Sequence, residues 1–388
     1  MGYYSEYLDR KLDVKGMADE RKHQLKRISE LRGGRDVLVY AADIDKPNLP
    51  PGLLNIVYSD LVPFHDQLSN LHGAALDLIL ETGGGSGEVA EDIVRSLREK
   101  YESIGIIVPG WAKSAGTIIA MAGDEILMDP ASSLGPIDAQ MSWQGKVFSA
   151  DALIEGMEKI KREVIATGAL NRAYIPMLQA LSPGDLQSAE NALGFAQTLV
   201  ADWLARYKFK RWEKHSHTGE IVTDDEKSAR AKEIARDLCN HKKWLTHGRS
   251  IKIDDLEASG LKVIDYSKQA NLAEAIRRYH TLVQMTFDTT HVYKLFETPD
   301  SQILRFASPA VPPPHDADAV VIEVTCPKCA AVSKVQANMK KSALQPGNHR
   351  FPPDNQFRCP SCDTQIDLAD ARRQIEVQSK KAVTDDYA

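Results

Sequence analysis

The chain has 388 residues, of which 43% are hydrophobic and 26% are charged, and its formal net charge is −6. These values are typical of a globular protein with room for two or three domains, and they argue against nucleic-acid binding over the whole surface. No stretch is apolar over the length of a membrane span, and the charged N-terminus lacks the apolar core of a signal peptide. We therefore expect a cytoplasmic protein without a membrane span.

The first predicted element is a charged helical arm over residues 1–33. A β-type apolar run at 37–41 and helical spacing over 56–71 follow it. Residues 76–141 then read as two strand–turn–helix units, with a further strand at 125–128. Strands that alternate with helices predict an α/β fold with a largely parallel sheet covered by helices.

The pattern becomes mostly helical after residue 141. Pro183 stands at the first position of a long helix that Ser182 can cap. The helices predicted here cover residues 149–167, 182–212, 227–240, 250–260 and 271–286, and a short strand covers 261–264.

Composition changes near residue 308, where a segment rich in proline and polar residues predicts a linker. We divide the chain by these shifts into an arm, a large α/β domain, a connector with the Pro-rich linker, a small cysteine module and a tail. Their predicted ranges are 1–33, 34–290, 291–319, 320–370 and 371–388.

The two strand–turn–helix units place two kinds of turn at equivalent points. The strand at 76–80 runs into Gly83, Gly84 and Gly85, and the strand at 104–108 runs into a turn with Ser114 at the start of a helix. A glycine-rich turn exposes backbone N–H groups, which can stabilise an oxyanion formed beside the serine. The pattern favours a serine hydrolase site, although Ser114 could also serve only as a helix N-cap.

Three segments in this order resemble the serine dehydrogenase proteinase family: ETGGGSGEVAEDI, WAKSAGTIIAMAGDEILMDPASSLGPIDAQ and LTHGRSIKIDDLEASGLKVID. That family is related to signal peptide peptidase A and, more distantly, to the Clp peptidase and crotonase folds. The resemblance covers about residues 36–266. It implies repeated ββα units with a parallel sheet and helical extensions, serine endopeptidase activity on peptide or protein substrates, and a homo-oligomer that shelters the site.

The same resemblance implies roles for four residues. Ser114 matches the nucleophile, and its hydroxyl would attack the scissile carbonyl. Gly84 and Gly85 match the glycine pair that donates to the oxyanion, and the N–H of Ala115 matches a further donor. Gly83 stands where proline is common in the family.

The general base is less clear from the sequence. No histidine occurs between His72 and His215, so the segment around Ser114 cannot supply a Clp-like histidine. Signal peptide peptidases use a downstream lysine instead, which favours Lys161, with Lys159 next. The two lysines are two positions apart on one predicted helix and face different sides, so only one could enter the site. His247 is a further candidate from a distant stretch.

Four of the five cysteines form two CxxC pairs. Cys326 with Cys329, and Cys359 with Cys362, have the spacing of a structural zinc ribbon in which four thiolates bind one Zn²⁺. The loop between them contains basic residues with Phe351 and Phe357, which could contact a protein or a nucleic acid. Cys239 is expected to be a small core residue.

The sequence leaves two other functions open. The chain could be a non-catalytic Clp/crotonase-fold scaffold that binds protein or nucleic acid through its zinc ribbon. It could also be an acyl-CoA enzyme of the crotonase type, although such chemistry needs no serine at the helix start.

Overall fold

The computed structural model describes residues 2–47, 49–143, 146–215, 218–307, 318–379 and 381–387. The chain divides into two compact units, and the predicted Pro-rich linker lies mostly outside the described residues. The central unit is Ile28–Ile276, and the terminal unit combines Met1–Arg27 with Arg277–Ala388. Among the described helices, none is both long and apolar enough to cross a bilayer.

The helices are numbered along the chain. They are α1 Tyr3–Asp9, α2 Val14–Leu31, α3 Pro51–Leu54, α4 Leu61–Ser69, α5 Gly87–Lys100, α6 Ala115–Met121, α7 Ala150–Thr167, α8 Ile175–Gln179, α9 Pro183–Trp203, α10 Asp224–Cys239, α11 His241–Trp244, α12 Ile253–Ala258, α13 Ala270–Thr289 and α14 Ala369–Ser379.

The strands are numbered in the same way. They are β1 Asp36–Ala42, β2 Ala75–Glu81, β3 Ser103–Ile107, β4 Trp111–Ala112, β5 Glu125–Met128, β6 Ser133–Leu134, β7 Gln140–Trp143, β8 Lys146–Ser149, β9 Ile264–Asp265, β10 Val292–Glu297, β11 Gln302–Phe306, β12 Ala319–Thr325, β13 Val332–Asn338, β14 His349–Arg350, β15 Gln356–Arg358 and β16 Gln365–Asp367.

A parallel sheet organises the central unit. Strands β1, β2, β3, β5 and β9 lie side by side in that order, and each pair runs parallel. The nearly continuous apolar runs of β1, β2 and β3 are buried, as expected for parallel strands that helices cover on both faces. The predicted mixed α/β fold with a parallel-rich sheet is confirmed. The carboxyl ends of β2, β3 and β5 lead into the turns that carry the site.

One charged residue interrupts the apolar pattern of β2. Asp77 is fully buried, and its carboxylate accepts hydrogen bonds at 2.7 Å from Nε of Arg32 and at 2.7 Å from Nε of Arg35. The two guanidinium groups supply the charge and the donors that a buried carboxylate needs. This pairing anchors the end of α2 to the amino ends of the strands.

The terminal unit joins the two ends of the described chain. Arg21 is 1% exposed and donates to Glu297 (3.1 Å), Thr286 (2.7 Å) and Gln302 (2.9 Å). The hydroxyl of Tyr279 donates to the same Glu297 carboxylate at 2.9 Å. Nε, Nη1 and Nη2 of Arg21 thus each donate a hydrogen bond to an oxygen atom, which offsets the cost of burying the cation.

The segment predicted as a connector, residues 291–319, begins with an antiparallel hairpin of β10 and β11. All six residues of β10 are buried, including Lys294 and Glu297. The sequence did not indicate this strand, because its charged residues lie at buried positions. A strand is usually recognised by alternating apolar and polar residues or by a continuous apolar run, and β10 has neither.

The predicted tail, residues 371–388, is also more ordered than the sequence indicates. Helix α14 covers its start, with Ile375 buried in the apolar cluster of the cysteine module. Further on, Thr384 donates its N–H to Asn338, and the hydroxyl of Tyr387 donates to the carbonyl of Gln336. The helix has few apolar residues, so its sequence gives a weak periodic signal.

Candidate active site and metal centre

The glycine turn after β2 has no room for side chains. Gly84 has φ +110°, and a Cβ there would lie 2.6 Å from Cβ of Ser114. Gly85 has φ +148°, and a Cβ there would lie 2.3 Å from the backbone nitrogen of Ile56. Glycine is required at both positions because the backbone approaches so closely and takes conformations that other residues avoid.

Ser114 occupies a strained position between β4 and α6. Its φ is +50° and its ψ −115°, and its side chain does not cap the helix. Its hydroxyl makes no hydrogen bond within the described part of the chain. A structural N-cap serine would accept from the helix backbone, so the capping interpretation does not account for Ser114. Strained backbone of this kind concentrates at functional sites.

Replacing Ser114 by glycine should raise the free energy of unfolding relative to Ser114→Ala. Alanine keeps a Cβ at positive φ, whereas glycine adopts this conformation freely. Relief of about 1–3 kcal/mol of strain exceeds the entropic cost of glycine, about 0.5–1 kcal/mol. Urea unfolding of the two variants measures the difference. Equal or lower stability of Ser114→Gly would show that the turn is not strained.

Two backbone N–H groups beside Ser114 are available to a ligand. Those of Gly85 and Ala115 have no acceptor among the described residues. The N–H of Gly84, by contrast, donates to Oγ1 of Thr82 at 3.1 Å. The geometry therefore favours Gly85 and Ala115 over Gly84 as oxyanion donors.

Ser114 faces a cleft of about 590 Å³. The cleft walls come from the glycine turn, the start of α6, the segment after β6 and helix α9. Ile118, Phe195 and Ala196 give it an apolar side, and Asp138, Ser188 and Asn191 add polar groups. Such a mixture of apolar surface with a few polar groups is typical of ligand sites.

Asp138 is the anchor of two histidines in this region. Its carboxylate, with no exposed surface, lies 2.7 Å from Nδ1 of His247 and 3.1 Å from Nδ1 of His241. Burial alone would raise the pKa of Asp138, but the hydrogen bonds and charge of His247, and then of His241, lower it below its ordinary value. Asp138 is therefore a carboxylate at neutral pH. A carboxylate beside Nδ1 accepts a proton carried by that nitrogen, which favours the tautomer in which Nε2 is the acceptor.

Lys113, directly before the serine, points into a different environment. Its Nζ donates to the carbonyl of Leu134 at 2.9 Å and to the hydroxyl of Ser250 at 3.0 Å. Burial, with a contribution from Lys252, lowers the pKa of Lys113 to about 8. The side chain thus ties the Ser114 turn to the segment that follows His247.

The structure does not bring the two candidate lysines into the cleft. Lys161 is 66% exposed on α7 and pairs with Glu158 at 3.2 Å, and Lys159 on the same helix is also exposed. Neither lines the cleft that Ser114 shares with Asp138. His247, the third candidate, is the one that contacts a residue of that cleft.

His241 is a residue that the sequence did not single out. It lies six positions before His247 in the run NHKKWLTHGRS, and α11 presents it to the same carboxylate. The partner Asp138 is 103 residues away in sequence. The presence of two histidines in one short segment was the available signal for a site. That both contact Asp138 becomes evident only from the fold.

The four cysteines of the C-terminal module meet at one point. Their sulfur atoms all lie within 4.8 Å of one another, with Cys326 3.5 Å from Cys362 and Cys329 3.7 Å from Cys359. Zn–S bonds of about 2.3 Å in a tetrahedron require sulfur atoms roughly 3.8 Å apart. The four side chains could therefore hold a single metal ion of zinc size.

Two similar turns present these thiols. The N–H of Ala330 donates to the carbonyl of Cys326 at 2.9 Å, and the N–H of Asp363 donates to that of Cys359 at 2.9 Å. Ala330 and Asp363 both have φ +58°. Each CxxC pair thus closes the same tight turn, which aims both of its sulfur atoms at the centre.

The aromatic residues of the module are not available to a partner. Phe351 and Phe357 are 2% and 6% exposed and belong to the apolar cluster of the module. A ring buried in a core cannot stack on a base, so these two rings do not take part in such a contact. A nucleic-acid partner for the basic residues of the loop remains a prediction. Cys239 is buried in the central unit, as expected for a core residue.

Comparisons with known proteins identify part of the chain. Residues 69–175 match the model of a family described as ClpP-like SDH-type serine proteinase. An uncharacterized protein of Methanocaldococcus jannaschii is 31% identical over 104 residues, 27% of this chain and 36% of that protein. A second uncharacterized protein of this organism is 36% identical over 84 residues, 22% of this chain and 28% of that protein. The chain thus spans about a third of the length of these relatives.

Among solved structures, a serine-to-alanine variant of the 1510-N membrane-bound stomatin-specific protease is 15% identical and covers 56% of this chain and 79% of that one. Its TM-score of 0.31 marks a distant likeness. The matched segment, residues 69–175, contains the glycine turn, Ser114 and Asp138. The similarity to the ClpP-like SDH-type serine proteinase family is thus shown for this segment, and the other residues of the chain lie outside the match.

Proposed function

We propose that the protein is a serine endopeptidase that cleaves unfolded polypeptides through Ser114. The observation that carries the proposal is the placement of the Ser114 hydroxyl. The backbone of Ser114 is strained, and its hydroxyl makes no hydrogen bond to a described residue. The residue faces a cleft beside two available N–H groups. The match of residues 69–175 to a serine proteinase family supports the same reaction.

The proposed reaction proceeds through an acyl-enzyme. Oγ of Ser114 attacks the scissile carbonyl carbon while a general base takes its proton. The N–H groups of Gly85 and Ala115 donate to the carbonyl oxygen as it becomes an oxyanion. The base returns the proton to the leaving amine, and a water molecule activated by the same base hydrolyses the ester.

We propose His247 as the base, with Asp138 as its positioning residue. The 2.7 Å contact of Asp138 with Nδ1 of His247 is shorter than its 3.1 Å contact with His241. It orients the ring as the carboxylate of a serine protease triad does. Asp138 lines the cleft of Ser114, and His247 contacts this carboxylate without lining the cleft itself.

A Ser-Lys mechanism has less support. A lysine base must lose its hydration to become an effective proton acceptor, and Lys161 is exposed and paired with Glu158. Lys159 is exposed on the same helix. For either lysine to act, α7 would have to move toward the cleft on substrate binding.

We propose further that Cys326, Cys329, Cys359 and Cys362 bind a structural Zn²⁺, which would fix the two turns of the module against each other. The zinc ribbon, through its exposed basic residues, would recruit protein substrates. The cytoplasmic location and the homo-oligomer remain predictions from the sequence.

Substitution of the two kinds of base should separate the mechanisms. We expect His247→Ala to lower kcat/KM for casein by about 10³-fold or more, because proton transfer from serine is lost. Lys161→Ala should stay within about twofold of wild type, since an exposed lysine outside the cleft touches no reacting atom. Labelling of Ser114 by a fluorophosphonate, located by peptide mass spectrometry, provides a second readout.

His241→Ala is the matched control, because it removes the other histidine from the same carboxylate. It should retain most of the activity. Thermal melting of all three variants verifies that they fold. Loss of activity in Lys161→Ala together with activity in His247→Ala would restore the Ser-Lys mechanism. A wild-type protein that neither cleaves casein nor reacts with the probe would favour the scaffold.

A further inference from the structure

A second cavity of about 510 Å³ lies at the amino ends of the strands in the central unit. Its lining includes Ser103 at the start of β3, Glu125 at the start of β5 and Ile264 at the start of β9. Ser114 follows the carboxyl end of β3, and five residues of strand span about 16 Å. The cavity is therefore separate from the cleft of Ser114.

Basic side chains dominate this cavity. Five of them line it: Lys208, Arg211, Lys214, Arg230 and Lys262. The two acidic groups of the lining have cationic partners of their own. Asp124 pairs with Arg98 at 2.8 Å, and Glu125 pairs with Arg32 at 2.5 Å. Arg230 also pairs with Glu233, which does not line the cavity, at 2.9 Å. The lining still has five cations against two acidic groups, so the cavity keeps an excess of positive charge.

Lys208 is the most enclosed of these cations. Its Nζ donates to the backbone carbonyl of Asp124 at 3.3 Å. Burial lowers the pKa of Lys208 to about 8; Glu125 and Asp124 oppose this shift, and Lys262 adds to it. A cation held out of water near a second cation is unfavourable unless an anion joins them. Arg211, Lys214 and Lys262 form no ion pair with the described residues.

An unusual backbone turn carries Lys208 into the cavity lining. After α9, residues Leu204–Lys208 form a π-helical turn, a form that is rare and frequent at functional sites. This turn places Tyr207 and Lys208 in the cavity lining, and Phe209 and Trp212 follow. Trp212 is half-buried, and its ring lies 5.5 Å from that of Phe209 and 5.4 Å from that of His215, between centroids.

We propose that this basic cavity binds a nucleoside phosphate. Its phosphate groups would bind Lys208, Lys262 and Arg230, and its base would pack against Trp212. Cationic donors around an enclosed space match the charge of a phosphate chain, and an aromatic side chain matches a planar base. The volume is in the range of small-molecule sites. The inference does not depend on the peptidase activity.

Isothermal titration calorimetry of the full chain with ATP tests the proposal. We expect saturable binding at one site per chain, with the affinity falling as salt rises. Lys208→Met should weaken binding by about tenfold or more, because it removes a charge-assisted hydrogen bond. Methionine fits a buried position, so this variant should fold. Lys262→Ala, an exposed substitution, should weaken binding in the same direction.

Lys232→Ala is the charge-matched control, because Lys232 is exposed on α10 and does not line the cavity. It should bind ATP like wild type. Tripolyphosphate and adenosine are the other probes, and each should bind more weakly than ATP. No saturable ATP binding, or equal binding by Lys208→Met and wild type, would overturn the proposal. Tighter binding of a 5′-phosphorylated oligonucleotide than of ATP would overturn the small-molecule ligand.

Discussion

Casein cleavage is expected to vanish when Ser114 is replaced by alanine. The substitution removes one oxygen atom, and that oxygen makes no hydrogen bond to a described residue, so the fold loses nothing by its removal. The reaction loses its nucleophile, and kcat/KM should fall by about 10⁴-fold or more. Initial rates with a fluorogenic casein, at equal protein concentration, measure the effect. Zinc content and elution volume should equal those of wild type.

Ser188→Ala is a suitable comparison, since it removes a serine hydroxyl from the same cleft on α9. It should retain activity within a few-fold. Cleavage that persists in Ser114→Ala would mean that another group attacks the substrate. Hydratase or thioesterase activity that survives in Ser114→Ala would support the crotonase-type alternative.

Removal of the proposed Zn²⁺ from the cysteine module should have the second large effect. Zinc binding contributes about 10–16 kcal/mol to the folding of small zinc domains. We therefore expect Cys359→Ser to lose one zinc per chain and hydrogen-exchange protection in β12 and β13. Protection in β1, β2 and β3 should not change, since the parallel sheet belongs to the central unit. Elemental analysis and peptide-resolved hydrogen exchange measure the two quantities.

Cys239→Ala is the matched control, because Cys239 is a buried cysteine outside the four-thiol cluster. It should keep its zinc. A Cys359→Ser protein with full zinc content would show that the thiols do not form one site. Full protection of β12 and β13 without zinc would mean that the apolar cluster around Val335 and Phe351 is sufficient for the module.

The sequence predicted the parts of the fold in which local pattern and tertiary environment agree. The apolar runs at β1, β2 and β3 were evident because both faces of these strands are buried. Strand β10 was missed because buried Lys294 and Glu297 break that pattern. Helix α14 was missed because, among its described side chains, Ile375 is the one apolar residue buried in the module.

The site, like the fold, has parts that the sequence predicted and parts that it did not. The glycine turn, Ser114 and the two CxxC pairs are contiguous motifs, and the sequence indicated them with their chemistry. The link from Asp138 to His247 spans 109 residues, so no local spacing reveals it. The basic cavity was also missed, because its cations come from three separate stretches of the central unit.

The network of Arg21 has a consequence for synthesis on the ribosome. Its partners Thr286, Glu297 and Gln302 follow it by 265, 276 and 281 residues. At a translation rate of about 5–20 residues per second, the last partner of Arg21 is synthesised roughly 15 to 55 seconds after Arg21 itself. The central unit is complete earlier and can fold first. Until Gln302 has been made, the nascent α1 and α2 expose apolar residues such as Leu25 and Met17, so chaperones are expected to bind this segment.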